Sequence, residues 1–248
     1  MKPFLLLATR ADNAIADAEY AAFLRFGGLR PAQLRRVRLE RERMPRLTLR
    51  DYSGIFVGGS PFNASDPATD KSAVQRRVEA EMASLLDDVI ADDVPFFGAC
   101  YGVGTLGAHQ GATIDRRFGE PIGAVRIELT DAGRDDPLFA GLPDRFDAFV
   151  GHKEACSQLP SSATLLASGS ACPVQAFRVG ANAYATQFHP ELDVDELIAR
   201  VRAYRHEGYF APEQLDETVA AVRAAPAVHW PRRILRAFVD RYARSADS

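Results

Sequence analysis

The chain has 248 residues, 47% of them hydrophobic and 25% charged, which is enough apolar material to bury one large core. Its 30 basic and 33 acidic side chains leave a formal net charge of −3, a balance that does not favour nucleic acid as a partner. The three cysteines, at positions 100, 156 and 172, are odd in number and lack metal-ligand spacing. We therefore expect neither a disulfide framework nor a metal site, and no cofactor.

The chain opens on an apolar run at residues 4–9 that stops at Arg10. This run is too short for the core of a signal peptide or for a membrane span. We expect a cytoplasmic protein that does not bind membranes.

In the first half of the chain, short apolar runs alternate with helical patterns. The predicted strands are residues 4–9, 37–40, 54–59 and 94–99, and the predicted helices are 14–28 and 72–93. Near-continuous hydrophobic strands separated by helices indicate a parallel sheet covered on both faces.

The second half begins with closely spaced strands, which predict some antiparallel pairing. They are residues 122–129, 146–151, 164–168, 173–179 and 183–188. Three helical patterns follow, at 194–206, 213–224 and 231–243, and the first carries apolar residues on one face. We expect an α/β domain over residues 1–192 with a helical extension, residues 193–248, packed on it.

The stretch "PFFGACYGVG", residues 95–104, places Cys100 between a predicted strand and a glycine-containing helix start. This is the layout of a nucleophile elbow, in which Gly98 and Gly102 permit a sharp turn. The positive end of the helix dipole would favour the thiolate there. A buried, unreactive thiol is the alternative, because free cysteine also packs as a small hydrophobic residue.

A nucleophilic cysteine needs a base, and "ATQFHPELD" ends a predicted strand at His189. Glu191, two residues on, could accept the second ring N–H and fix the tautomer. The histidines at 109, 206 and 229 are expected to have structural or surface roles.

Four segments together resemble the class I glutamine amidotransferase domain, and among its branches the GMP-synthetase type, here as a stand-alone chain. They are "GIFVGGSP" at 54–61, "GACYGVG" at 98–104, "GHKEACSQLP" at 151–160 and "QFHPE" at 187–191. The resemblance implies a flavodoxin-like, three-layer α/β/α fold with a mostly parallel central sheet.

It also implies a Cys-His-Glu triad of Cys100, His189 and Glu191 that hydrolyses the side-chain amide of glutamine through a thioester. Backbone N–H groups at Gly58, Gly59 and Tyr101 would then stabilise the tetrahedral oxyanion. His152 would have a supporting role in substrate binding.

One position departs from the family, which usually carries glutamine or a similar polar residue where this chain has Gly104. The departure keeps two alternatives open: a hydrolase of γ-glutamyl amides or peptides with the same triad, or a non-catalytic binding module of the same fold. The family commonly feeds ammonia to a synthetase, and we expect such a partner to be a separate chain. The helical extension could instead support a homo-oligomer.

Overall fold

The computed structural model describes residues 1–245, and every structural statement below refers to them. The strands are β1 (Phe4–Ala8), β2 (Leu34–Arg38), β3 (Ile55–Val57), β4 (Phe96–Ala99), β5 (Thr113–Asp115), β6 (Glu120–Leu129), β7 (Arg145–His152), β8 (Ala155–Gln158), β9 (Ala163–Gly169), β10 (Ala176–Val179) and β11 (Ala183–Thr186). The α-helices are α1 (Asn13–Gly27), α2 (Ala73–Ala91), α3 (Tyr101–His109), α4 (Asp131–Asp135), α5 (Val194–Ala203), α6 (Leu215–Arg223) and α7 (Arg232–Tyr242).

Nine of the described strands form one sheet in the order β2-β1-β3-β4-β11-β10-β9-β6-β7, and β5 pairs with β8 in a separate hairpin-like sheet. The first five strands of the large sheet run parallel to one another. From β11 onward each neighbouring pair is antiparallel. The expected fold class is confirmed: a mixed sheet, parallel in the half that carries β4 and β11, flanked by helices.

The central strands are buried on both faces, which explains their continuous hydrophobicity. On one face, Phe4, Phe56 and Phe97 pack with Phe23 of α1 and Phe238 of α7. On the other face, alternate residues of the same strands pack against α2 and α3. The 3.8 Å chain step and strict alternation of strand side chains make this two-sided burial possible only with helices on each side.

The C-terminal helices contribute to these layers in two ways. Helix α7 completes the aromatic core described above, and its Ile234, Leu235 and Phe238 are fully buried. Helices α5 and α6 pack together against Phe149 and Leu192 in a third apolar cluster. None of the described helices is both long enough and apolar enough to cross a bilayer.

The element boundaries differ from the sequence prediction in three places. Strand β2 begins at Leu34, three residues before the expected start, and the chain turns after Arg38. The pattern analysis missed β5 and β8, because each has only three or four residues and forms a small sheet at the surface. It also missed the five-residue helix α4.

Candidate active site

Cys100 lies at a sharp turn between β4 and α3. Its backbone has φ +53° and ψ −83°, in the left-handed half of the map that a residue with a Cβ rarely adopts. Its N–H donates to the Thr186 carbonyl of the adjacent strand β11 at 2.7 Å. A Cβ on Gly98 would lie 2.5 Å from Gly102 Cα, so the turn can be this tight only without a side chain at position 98. The elbow expected from the sequence is present.

Because β11 runs parallel to β4, the carboxyl ends of both strands meet at one edge of the sheet. The segment after β11 therefore delivers His189 to the Cys100 thiol, and the two side chains are hydrogen-bonded. His189 Nδ1 lies 2.7 Å from Glu191 Oε1, so the opposite ring nitrogen is left for the sulfur. The structure thus brings Cys100, His189 and Glu191 together in one line.

Burial fixes the electrostatics of this pair. Burial of His189 disfavours its charged form, but the Glu191 carboxylate and Cys100 more than compensate and raise its pKa to about 9. Burial would likewise raise the pKa of Glu191, yet His189 and the Arg200 guanidinium lower it to about 2. Glu191 is therefore ionised at neutral pH, and His189 is protonated beside it.

Three further buried charges extend the pair into a network. Arg200 of α5 donates to Glu191 Oε1 at 3.1 Å and to Glu19 Oε1 at 3.4 Å, and Arg10 donates to the same Glu19 oxygen at 3.2 Å. Two guanidinium groups thus balance two carboxylates in a dry environment, as buried charges require. The sequence analysis missed this network.

A signal for the network exists in the sequence. Glu19 falls at helical spacing from the buried residues Ile15 and Phe23 of α1, and Arg200 stands beside Leu197 and Val201 on the inner face of α5. A charged residue on an otherwise apolar helix face indicates a buried ion pair. Spacing alone does not show that the two faces meet, however.

The two glycines after β3 lie against this network. A Cβ on Gly58 would sit 2.5 Å from Glu19 Oε2, and one on Gly59 would sit 2.8 Å from His189 Cε1, so neither position accommodates a side chain. The Gly58 N–H already donates to the Leu7 carbonyl at 3.3 Å. Of the two glycines, only Gly59 is therefore retained below as an oxyanion donor.

Tyr101 and His152, the other expected site residues, both border the cavity beside Cys100. Tyr101 is the first residue of α3, and burial raises the pKa of its phenol. Both ring nitrogens of His152 are engaged within the protein, one with the Glu154 carbonyl at 2.8 Å and the other with Glu120 Oε2 at 2.9 Å. His152 is thus held from behind the cavity.

The Gly104 departure has a structural explanation in Glu154. The two carboxylate oxygens of Glu154 accept the N–H groups of Ala64 and Ser65 at 2.8 and 2.7 Å, which ties the loop after β3 to the rim of the cavity. A Cβ on Gly104 would lie 2.9 Å from Glu154 Oε1 and 3.1 Å from Ala64 Cβ. Glu154 therefore occupies the space that a side chain at position 104 would need.

The segment that follows α5 covers the site from the other side. Tyr209 borders the cavity beside Cys100, and Tyr204 accepts a hydrogen bond from Arg10 at 3.2 Å. Lys153 holds this cover by donating to the Glu207 carbonyl at 2.5 Å, with its ammonium 4.6 Å from the centre of the Tyr209 ring. The C-terminal segment is thus part of the site wall.

One cluster behind the cavity contains side chains of metal-ligating type. Glu120, His152 and Cys172 place one donor atom each within 4.8 Å of one another. The same atoms already hydrogen-bond: Glu120 accepts from Gln175 at 2.6 Å and faces His152, and the Cys172 thiol donates to the Val174 carbonyl. Burial also raises the pKa of the Cys172 thiol to about 12, which opposes the thiolate that a metal needs. The cluster is better described as a hydrogen-bonded support for His152.

Comparisons with known proteins agree with this geometry. The family model "Glutamine amidotransferase class-I" matches residues 27–198. Two bacterial proteins named GMP synthase [glutamine-hydrolyzing] are similar in sequence: the Streptomyces avermitilis protein is 34% identical over 117 residues, 46% of this chain, and the Streptomyces coelicolor protein is 25% identical over 234 residues, 88% of this chain. The chain spans only 22% and 41% of the lengths of these relatives.

Among solved structures, a glutamine amidotransferase from Thermotoga maritima matches with a TM-score of 0.73 at 21% identity, covering 99% of this chain and all of the other. One from Methylobacillus flagellatus matches with a TM-score of 0.69 at 19% identity, covering 99% and 97%. These two likenesses establish the fold, and the family model covers more than half of the chain. The chain belongs to the class I glutamine amidotransferase family.

Proposed function

We propose that this protein hydrolyses the side-chain amide of glutamine through a thioester on Cys100, releasing glutamate and ammonia. The observation that carries the proposal is the strained elbow that presents Cys100 to the buried His189–Glu191 pair. Family membership supports amide hydrolysis as the reaction class.

In the proposed mechanism the Cys100 thiolate attacks the carboxamide carbon, and a carbon–sulfur bond forms. Protonated His189 then gives its proton to the amide nitrogen, the carbon–nitrogen bond breaks, and ammonia leaves. Water next attacks the thioester while neutral His189 takes its proton, and glutamate departs as the thiolate is restored. Glu191 stays ionised throughout and holds the imidazole in place.

The developing oxyanion needs donors that are already in position. We propose the backbone N–H groups of Gly59 and Tyr101, because Gly59 packs against His189 and Tyr101 follows the nucleophile at the start of α3. Donors fixed by the backbone need no reorganisation as charge develops, which is why they typically lower the barrier by several kcal/mol.

The substrate's amino-acid end would lie on the Gly104 side of Cys100. The cavity there is bordered by Tyr101, Glu154 and Lys153, which supply a carboxylate for an α-ammonium group and an ammonium for an α-carboxylate. In this arrangement Glu154 takes over the polar contact that the family's usual residue at position 104 would make.

One observation favours γ-glutamyl amides as a second candidate substrate. On the His189 side, where the leaving amine departs, the cavity wall includes Ile122, Val150, Leu192 and Leu197. Apolar walls beside the leaving nitrogen suit a small alkyl group better than they suit ammonia. A γ-glutamyl alkylamide would use the same triad.

We further propose that ammonia is passed to a synthetase chain, since the similar full-length proteins are named as glutamine-hydrolyzing GMP synthases. A cytoplasmic location follows from such a metabolic role. Self-association and the boundary near residue 192 remain hypotheses from the sequence.

The decisive experiment measures glutamate release from glutamine and from γ-glutamyl methylamide by the purified protein, alone and with a candidate synthetase. Release from glutamine that disappears in Cys100→Ser supports the proposal. Turnover of the methylamide alone would transfer it to the second candidate. No turnover, together with no labelling of Cys100 by a glutamine-like electrophile, would favour the non-catalytic binding module.

A further inference from the structure

Gln187 is a buried side chain at the nucleophile that the mechanism above does not use. It follows β11 directly, and its backbone N–H donates to the Gln175 carbonyl at 2.8 Å, which fixes its place at the strand end. The residue is 2% exposed and borders the cavity beside Cys100.

The two ends of its amide face different surroundings. Gln187 Nε2 lies 4.0 Å from Cys100 Sγ, at the outer limit of a hydrogen bond to sulfur. Gln187 Oε1 is buried and has no hydrogen-bond partner within residues 1–245. A buried carbonyl oxygen without a partner is costly, so its persistence at an active site calls for a ligand that satisfies it.

The chemistry of the scissile group identifies that ligand. The carbon under attack must approach Sγ to about 3–3.5 Å, so both of its heteroatom substituents come within reach of a side chain that already contacts the sulfur. The carbonyl oxygen requires donors. The amide nitrogen carries N–H groups, and each needs an acceptor once water has left the cavity.

We propose that Gln187 is a further catalytic residue, whose Oε1 accepts an N–H of the scissile carboxamide and so selects amides over esters. The inference rests on the proposed hydrolysis. An ester presents an oxygen at the same place, and that oxygen would meet Oε1 as acceptor against acceptor. Esters of the same acid are therefore disfavoured despite their greater intrinsic reactivity.

The test compares kcat/KM for glutamine with kcat/KM for glutamate γ-methyl ester in each protein. The ratio of the two is independent of how much of a variant is correctly folded. Gln187→Met removes the acceptor at nearly constant length, and we expect the amide-to-ester ratio to fall by roughly tenfold or more, as for a lost hydrogen bond to a buried group. Gln187→Glu keeps an oxygen acceptor, and its ratio should stay within about threefold of wild type, well inside the effect of one full hydrogen bond.

An unchanged ratio in Gln187→Met would overturn the inference, and so would an equal loss in both variants. In either case the proposed function would stand, because wild type still cleaves glutamine. A wild-type protein that cleaves neither compound would contradict the proposed function, and this inference with it.

Discussion

At the scale of single residues, the site depends on a few side chains whose charge state is set by burial and pairing. Glu191 is fully buried and ionised because His189 and Arg200 stabilise its anion. The raised pKa of His189 means that the imidazolium survives to about pH 9, although burial acts against it. The leaving amine therefore has a proton donor over the whole neutral range.

Replacing Glu191 with glutamine tests this coupling. Without the carboxylate, burial disfavours the imidazolium, so the pKa of His189 falls and the basic limb of the activity profile moves from about pH 9 toward lower pH. We expect kcat/KM to fall roughly 10³–10⁴-fold, as in other triads that lose this carboxylate.

The measurement is kcat/KM for glutamine as a function of pH. Glu217→Gln, at an exposed position of α6, is the matched control and should behave like wild type. A basic limb that stays in place in Glu191→Gln would show that another group sets the charge of His189.

At the scale of elements, the strand–elbow–helix unit and helix α5 position the chemistry. The β4–α3 turn is tight because residues 98 and 102 touch backbone to backbone. Helix α5 brings Arg200 between Glu19 and Glu191, and so links the C-terminal part of the chain to the triad.

The two elbow glycines should respond differently to the same substitution. In Gly98→Ala the new methyl would meet Gly102 Cα at 2.5 Å, so the turn must open at a cost of about 1–3 kcal/mol, and glutamine turnover should be lost. In Gly102→Ala the methyl would enter open space, and the free energy of unfolding should change by less than about 1 kcal/mol. Urea unfolding of both variants distinguishes them, and equal effects would mean that contact at the elbow does not require glycine at position 98.

Arg200→Met tests the contribution of α5. Removing one guanidinium leaves Glu191 buried with His189 as its remaining charged partner, which should lower the free energy of unfolding by about 3–5 kcal/mol at neutral pH. The pKa of Glu191 should also rise from about 2, so stability would be lost at a higher pH on acidification than in wild type.

Urea unfolding as a function of pH provides the measurement. Arg202→Met, two positions along α5 and exposed, should remain within about 0.5 kcal/mol of wild type. If both variants unfold alike at every pH, Arg200 does not stabilise the ionised Glu191.

At the scale of the whole molecule, the C-terminal helices belong to the core and to the site. Phe238 of α7 lies 5.1 Å from Phe56 and 5.7 Å from Phe97, ring centre to ring centre, in the middle of the aromatic layer. Tyr204 and Tyr209 meanwhile line the cavity next to Cys100. Residues 193–245 thus complete the domain as well as extending it.

Phe238→Ala should therefore be severely destabilising, by about 3–5 kcal/mol, because it opens a cavity between the sheet and two helices. The free energy of unfolding in urea is the measurement. Val74→Ala, at a side chain that is 38% exposed, is the control and should change it by less than about 0.5 kcal/mol. A similar small change in Phe238→Ala would mean that α7 packs only peripherally.

The sequence by itself determined the alternation of strands and helices, the elbow at Cys100, and the pairing of His189 with Glu191, because each of these depends on residues close together in the chain. Hydrophobic period, glycine placement and a two-residue spacing are local properties, and they survive without knowledge of the fold.

Only the tertiary structure decided which distant groups meet at this site. The charge network joins Arg10, Glu19 and Arg200, and the exchange of a side chain at Gly104 for the carboxylate of Glu154 links two loops. The orphan oxygen of Gln187 is likewise apparent only when its surroundings are known. Such contacts depend on the order of strands in the sheet and on the layer to which each helix packs, which local sequence patterns do not encode.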